Sequence, residues 1–283
     1  MRLKLLILAC LVGFSMTAAV SEAADETVHQ TYPVKAGTAV EIENVNGDIT
    51  VSSWDKDYVD VVAVKRSNEG KEALDRVTIE AVTNGMLTIR TVYGKKEPES
   101  DFFITRLVQK IINGFPSGPN VSVNFTVSIP SNAKLAGVRT QNGDISVANT
   151  NGDAQIRSTN GAVKVERFSG IITSETTNGD ITVIESPGLV KARTVNGGIE
   201  VTFPRLIDTD TDISTVNGSV SMNADPNMNA VIDFRTVNGR ISAEGFSVML
   251  TTVSPRQFVG SLGNGGKMIK VQTVNGSIRM NKK

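Results

Sequence analysis

The feature that most constrains this chain is a row of glycines at a fixed interval. Gly143, Gly152, Gly161, Gly170, Gly179, Gly188 and Gly197 follow one another at an unbroken nine-residue spacing. Five of the seven come after an asparagine: Asn142, Asn151, Asn160, Asn178 and Asn196. Asn-Gly lets the backbone reach positive φ and bend sharply. Each glycine is followed by a short alternating run, such as Ile145 and Val147 or Ile181 and Val183. Period-two alternation puts those aliphatic side chains on one face of a strand. Nine residues thus make one strand and one turn, and 18 residues, from Asn160 to Asn178 to Asn196, restore the same local sequence. In the second half of the unit, Val190, Ala192 and Thr194 are expected to share one face and Lys191 and Arg193 the other. The interval stretches to 21 at Asn217 and Asn238, and a last copy stands at Asn275, 37 residues on. Self-similarity at a fixed period marks a repeat architecture.

Two architectures satisfy this spacing. A meander would use Asn-Gly as a hairpin turn, whereas a β-solenoid would use it as a corner between stacked coils. Thr140, Thr176, Thr194, Thr215, Thr236 and Thr273 each stand two residues before an asparagine. Like residues stack as columns in a solenoid and can hydrogen-bond along the column, and a meander has no reason to repeat them. The expected fold is therefore all-β, a β-helix-like solenoid with about 18–21 residues per coil.

Residues 1–23 read as an export signal. Arg2 and Lys4 form a basic end, Leu5 to Met16 an apolar run too short to span a bilayer, and Ser21-Glu22-Ala23 a small-residue cleavage site. Ile7-Leu8-Ala9-Cys10 resembles a lipobox, but too few apolar residues precede Cys10 for a lipoprotein signal. Cleavage after Ala23 leaves no cysteine, hence no disulfide and no thiol chemistry. The formal charge of the whole chain is 0, and loss of Arg2, Lys4 and Glu22 removes +2 and −1, leaving −1. No block of lysine and arginine offers a footprint for nucleic acid. The protein is therefore expected to be exported, to the periplasm or the cell surface. Residues 24–135 form an N-terminal β region, with strands near 58–64, 77–82, 86–92 and 121–129 and an Asn84-Gly85 hairpin. The regular Asn-Gly solenoid occupies 136–283. Within it, 244–268 reads as a loop because of Gly260, Gly263, Gly265 and Gly266.

The recurring Thr-Val-Asn-Gly-x-Ile-x-Val of 194–201, 215–222, 236–243 and 273–280 resembles the bacterial putative-adhesin family of repeat proteins, whose domain is also called toast-rack. The early Asn46-Gly47-Asp48-Ile49-Thr50-Val51 with Trp54-Asp55 is similar to that family's opening, as is the strand ending at Pro130. The resemblance covers roughly 33–283. It implies a β-helix-like fold in the cell envelope or in envelope-stress systems, and brings no catalytic residues.

Candidate chemistry is sparse. His29 is the single histidine and cannot build a zinc site without cysteines. Asp48, Asp144, Asp153 and Asp180 each follow Asn-Gly, but Ala162, Gly198, Ser219, Arg240 and Ser277 hold the same position elsewhere, so a solvated corner is expected. Asp208, Asp210 and Asp212 alternate like the start of a calcium loop, yet Ile213 and Ser219 stand where its glycine and bidentate acid belong. Trp54 and three tyrosines are few for stacking sugars, and Trp54 is expected to pack beside the first repeat. No catalytic, cofactor or metal site is expected. The preferred function is a non-catalytic envelope protein presenting a rigid surface to an unidentified envelope partner. A glycan-active β-helix enzyme and a self-associating scaffold are the alternatives.

One segment departs from the strand pattern. Ile104, Leu107, Val108, Ile111, Ile112 and Phe115 fall on one face of a short amphipathic helix near 101–114, with Phe102 and Phe103 at its start. Arg106 and Lys110 occupy its polar face. Such a helix caps an open solenoid end or docks on a partner or, peripherally, on a membrane surface. N-terminal sequencing of the exported protein should find a chain beginning near Ala24. A chain beginning at a lipidated Cys10 would refute the export reading.

Overall fold

The structure is a computed structural model that describes residues 23–94, 120–204 and 206–283. These residues build two facing sheets, one of 11 strands and one of 12. In the first sheet Ile145–Ala148, Val163–Glu166, Ile181–Ile184, Ile199–Thr202 and Val220–Ala224 lie side by side and parallel. In the second, Asn151–Arg157, Ser169–Glu175, Gly188–Arg193 and Thr211–Asn217 do the same. Val163 pairs with Ile145 on one side and Ile181 on the other, 18 residues away in each direction, and Ile199 pairs with Val220, 21 away. Parallel pairing at the repeat interval is a solenoid; a meander would pair neighbours antiparallel. Each coil gives one strand to each sheet, and at about 4.8 Å per strand the stack is roughly 50 Å long.

The alternation places the core as expected. Ile145, Val147, Val163, Val165, Ile181, Val183, Ile199 and Val201 are all buried between the sheets. The opposing sheet contributes Leu135, Ile156, Ile172, Ile213, Ile269 and Phe234. Inside one of the 18-residue intervals the register shifts by one. Ile172 pairs with Leu189 and Thr173 with Lys191, so Val190 is the extra residue of a bulge. Leu189, rather than the expected Val190, therefore fills the core, while Ala192 and Thr194 point inward as expected.

The coils do not stack in chain order at either end. The C-terminal coil, Met268–Asn275 and Ile278–Lys282, lies between the coil of Thr211–Asn217 and the coil of Ala230–Asn238. The N-terminal coil, Ala39–Glu43 and Ile49–Trp54, is likewise inserted between later strands, with Lys134–Arg139 on one side and Met86–Tyr93 on the other. Both of these coils are thereby held by hydrogen bonds on both flanks. Three of the four outermost positions go to antiparallel strands, and the fourth to Ile241–Ala243, which pairs parallel with Ile278–Lys282. Ala24–Pro33 pairs with Tyr58–Ser67, and Val77–Thr83 pairs with Met86–Tyr93 through the expected Asn84-Gly85 turn. At the far end, the stretch 244–268 corrects the loop expectation: Val248–Ser254 and Gln257–Leu262 form a hairpin on the second sheet. Glycine counts there suggested a loop, but Gly260 is a buried strand residue, and a Cβ on it would meet Met249 O at 2.7 Å. The single helix among the described residues is Lys71–Leu74.

Three substitutions test this account. Ile181→Asp should cost more than about 4 kcal/mol, because it buries an unpaired charge. The adjacent Thr182→Asp should change the melting temperature little. Ser174 is fully buried, and its hydroxyl has no partner among the described residues. It sits in a column between Ile156 and Ala192. Ser174→Ala should therefore be neutral or stabilise by up to about 1 kcal/mol, read by denaturant titration.

Candidate interaction surface

The most ordered surface is the corner row built by Asn-Gly. The asparagines stack in the spatial order Asn46, Asn142, Asn160, Asn178, Asn196, Asn217, Asn275, Asn238. Each side-chain amide donates to the previous asparagine's Oδ1, from Asn142 onto Asn46 at 2.7 Å through to Asn238 onto Asn275 at 2.9 Å. The next residue must be glycine because the corners touch. A Cβ on Gly179 would lie 2.1 Å from the carbonyl oxygen of Gly161.

The threonines before the corner form the expected column but bond differently from the expectation. Their hydroxyls do not bond each other. Thr176 donates to Gly161 O at 2.9 Å, Thr194 to Gly179 O at 2.9 Å and Thr273 to Gly218 O at 2.8 Å. Each buried hydroxyl thus satisfies the glycine carbonyl of the coil before it.

The acidic residues after Asn-Gly stand at an exposed or half-exposed corner, and they have a structural task as well. Asp48, Asp144 and Asp180 accept the backbone N–H of Asp144, Ala162 and Gly198 at 2.7–2.8 Å. Ser219 accepts from Ser277 N in the same way, at 3.1 Å. Any residue except proline can donate that amide, and Ala162 and Gly198 do so here. The row between threonine and asparagine faces outward and carries no core duty. In spatial order it is Val45, Gln141, Thr159, Thr177, Val195, Val216, Val274 and Val237, with the last four valines 36–49% exposed.

The outer face of the second sheet is charged. Glu175 is bonded by Lys191 at 2.6 Å and Arg157 at 3.0 Å. Hydrogen bonding from Lys191, then the charges of Lys191, Arg157 and Arg193, hold the Glu175 carboxyl below its ordinary value. A lowered folded pKa stabilises above the unfolded carboxylate value, near about 4.3, and that contribution is lost as pH falls through the folded value. Beside this group lies a shallow depression lined by Arg139, Arg157, Glu175 and Arg193. A second one, lined by Lys134, Asn149, Asp153 and Arg167, opens at the other corner.

The remaining sequence candidates are scattered. His29 is exposed and sits 2.6 Å from Asp60. Trp54 packs edge-on against Tyr58, donates to its carbonyl, and is covered by the Lys56 ammonium, as expected for a packed residue. Asp210 accepts from Met268 N, a contact from the lengthened coil to the C-terminal coil stacked on it. Among the described residues, no three His, Cys, Asp or Glu side chains gather as a metal site, and no helix is long and apolar enough to cross a membrane. The docking candidates Phe102, Phe103, Ile104, Leu107, Val108, Ile111, Ile112 and Phe115, and Cys10 with the export signal, lie outside the described residues. The outward valine row was not singled out in the sequence, although the repeated Thr-Val-Asn-Gly contained it.

This chain belongs to the toastrack family: the family described as Toastrack DUF4097 matches residues 12–281. Among solved structures it is similar to a putative cell adhesion protein from Clostridium sporogenes, with 11% identity over 93% of this chain and 100% of that one and a TM-score of 0.39. A putative adhesin from Bacteroides fragilis is 12% identical over 90% and 97%, with a TM-score of 0.40. A putative lipid binding protein from Parabacteroides distasonis is 12% identical over 90% and 96%, with a TM-score of 0.28. No curated protein matches the chain.

The ladder predicts a specific cost. Asn178→Ala leaves the Asn196 amide and the Asn160 oxygen without their partner, so it should lower stability by about 1 kcal/mol. Gly179→Ala should cost several times more, because backbone must move. If the two variants unfold alike with urea, the contact account of the corner is wrong.

Proposed function

We propose that this protein is a non-catalytic component of the cell envelope that presents one face of a rigid flat solenoid to a partner. The observation that carries the reading is the outward row beside the asparagine ladder. Its side chains are fixed at the strand interval, about 4.8 Å apart, and are free of core duty. They change from polar Gln141, Thr159 and Thr177 to apolar Val195, Val216, Val274 and Val237 along the stack. A surface of that kind suits recognition of an extended partner by position. Its neighbours are already committed: the asparagine amides bond each other and the aspartates accept backbone amides. Membership of the toastrack family supports the reading, since the sequence resemblance implies an envelope setting. The site of action in this reading is the periplasm or the cell surface.

The test is photo-crosslinking in living cells from a probe at residue 216, compared with a probe at residue 164 on the first sheet's outer face. A specific envelope protein should be recovered from 216 and not from 164. Purified protein should show no turnover of polysaccharide, peptide or ester substrates. A reproducible activity abolished by changing Asp144 and Asp180 together would overturn the non-catalytic assignment.

A further inference from the structure

The two ends of the stack are finished differently. At the C-terminal end the first sheet stops at Ile241–Ala243, a strand of three residues with no further strand beyond it among the described residues. The second sheet continues past that level by two strands, Gln257–Leu262 and then Val248–Ser254. Among the described residues this overhang has no opposing strand layer. Its inner side follows from register: Phe258 lies beside buried Phe234, Gly260 beside buried Ile232, and Leu262 beside buried Ala230. On the outermost strand the same side falls to Val248, Leu250 and Val253. Phe246 packs at the root of this ledge. Further out, Leu250 is 49% exposed and Val253 62% exposed, although both continue the core face.

The opposite end shows what a finished end looks like. There the first sheet overhangs by one strand, Ala24–Pro33. The helical turn Lys71–Leu74 follows the adjacent strand, and its Ala73 and Leu74 are buried in the core. The edge strand itself carries Asp25, Glu26 and Pro33, features that discourage edge pairing. By contrast Val248–Ser254 contains no charge and no proline.

We propose that the C-terminal end is a self-complementary step that closes a two-fold dimer of this chain. The missing layer is two strands deep and the overhang is two strands deep. A two-fold axis along the strand direction exchanges the layers. It sets one copy's overhang in line with the other copy's first sheet, with Val248–Ser254 of one beside Ile241–Ala243 of the other. The two ledges then face each other, and Leu250 and Val253 of both copies become buried between layers. The pairing is isologous and uses up both steps, so assembly stops at two. The capped and charged N-terminal end takes no part.

Light scattering on the full-length mature protein, over a concentration series, tests this. The wild type should be a dimer that dissociates on dilution. Leu250→Lys and Val253→Lys change exposed positions and should give folded monomers, with unchanged far-ultraviolet circular dichroism and at least a tenfold weaker association. Val82→Lys, at the other end, should leave the dimer intact. A spin label at residue 253 should report a short distance between copies, and one at residue 82 none. A wild type that stays monomeric at every concentration, open-ended polymers, or a dimer that survives both lysine variants would overturn the proposal. So would a dimer lost equally in Val82→Lys.

Discussion

Everything in this fold depends on how closely one Asn-Gly corner can approach the next. The glycine carbonyl of each coil points at the glycine Cα of the following one, at a distance that admits hydrogen and nothing larger. That contact sets the strand interval on both sheets at once, because every coil passes through it. Once it is set, three rows of hydrogen bonds come into reach. The asparagine amides bond each other, the threonine hydroxyls reach the preceding glycine carbonyl, and the aspartates take the next amide. None of these bonds is strong alone, since a typical one contributes about 1 kcal/mol net. Repeated along the stack, they fix a corner that would otherwise expose backbone groups to water.

A stack held this way has a weakness at its ends, where a coil has only one neighbour. The chain deals with it by topology. The first and last Asn-Gly coils are inserted between strands formed by other parts of the sequence, and the strand Ala24–Pro33 lies outside them at the edge of the first sheet. Insertion also makes the contacts long-range in sequence. The last coil must find its place after the strand Ala230–Asn238 has been laid down beyond it, which raises contact order and slows folding in general. Outermost among the described residues are antiparallel strand pairs, the short strand Ile241–Ala243 and one short helix, and the C-terminal hairpin leaves the core-facing Leu250 and Val253 exposed.

The surface consequence is a division of labour within four consecutive residues. Threonine and glycine hold the coil, asparagine holds the ladder, and the residue between threonine and asparagine is released to face solvent. Function that lives on such a scaffold is carried by positions the fold does not need. This favours recognition over chemistry: the ionisable groups near the corner are engaged in backbone bonds, and Glu175 is tied to Lys191 and Arg157 on a flat sheet.

The sequence by itself determined the repeat, its 18-residue coil, the inward aliphatic pairs and the Asn84-Gly85 turn, because these depend on local periodicity and on what glycine and asparagine permit. It also revealed that the threonines would form a column, while the asparagine column came from the structure. Which column bonds to itself was decided by tertiary distance: threonine finds a glycine carbonyl nearer than its own kind, while asparagine carries a donor and an acceptor and can chain. The opposite corner is marked in the sequence by Gly152, Gly170 and Gly188, but not by Asn149, Arg167 and Glu185, which adopt positive φ beside them without being glycine. The bulge that puts Leu189 inward, the hairpin within 244–268, and the placing of Asn275 between Asn217 and Asn238 were likewise decided only in three dimensions. Periodicity says what a strand looks like, but not which neighbour it will find when several coils share one pattern and compete for the same slot.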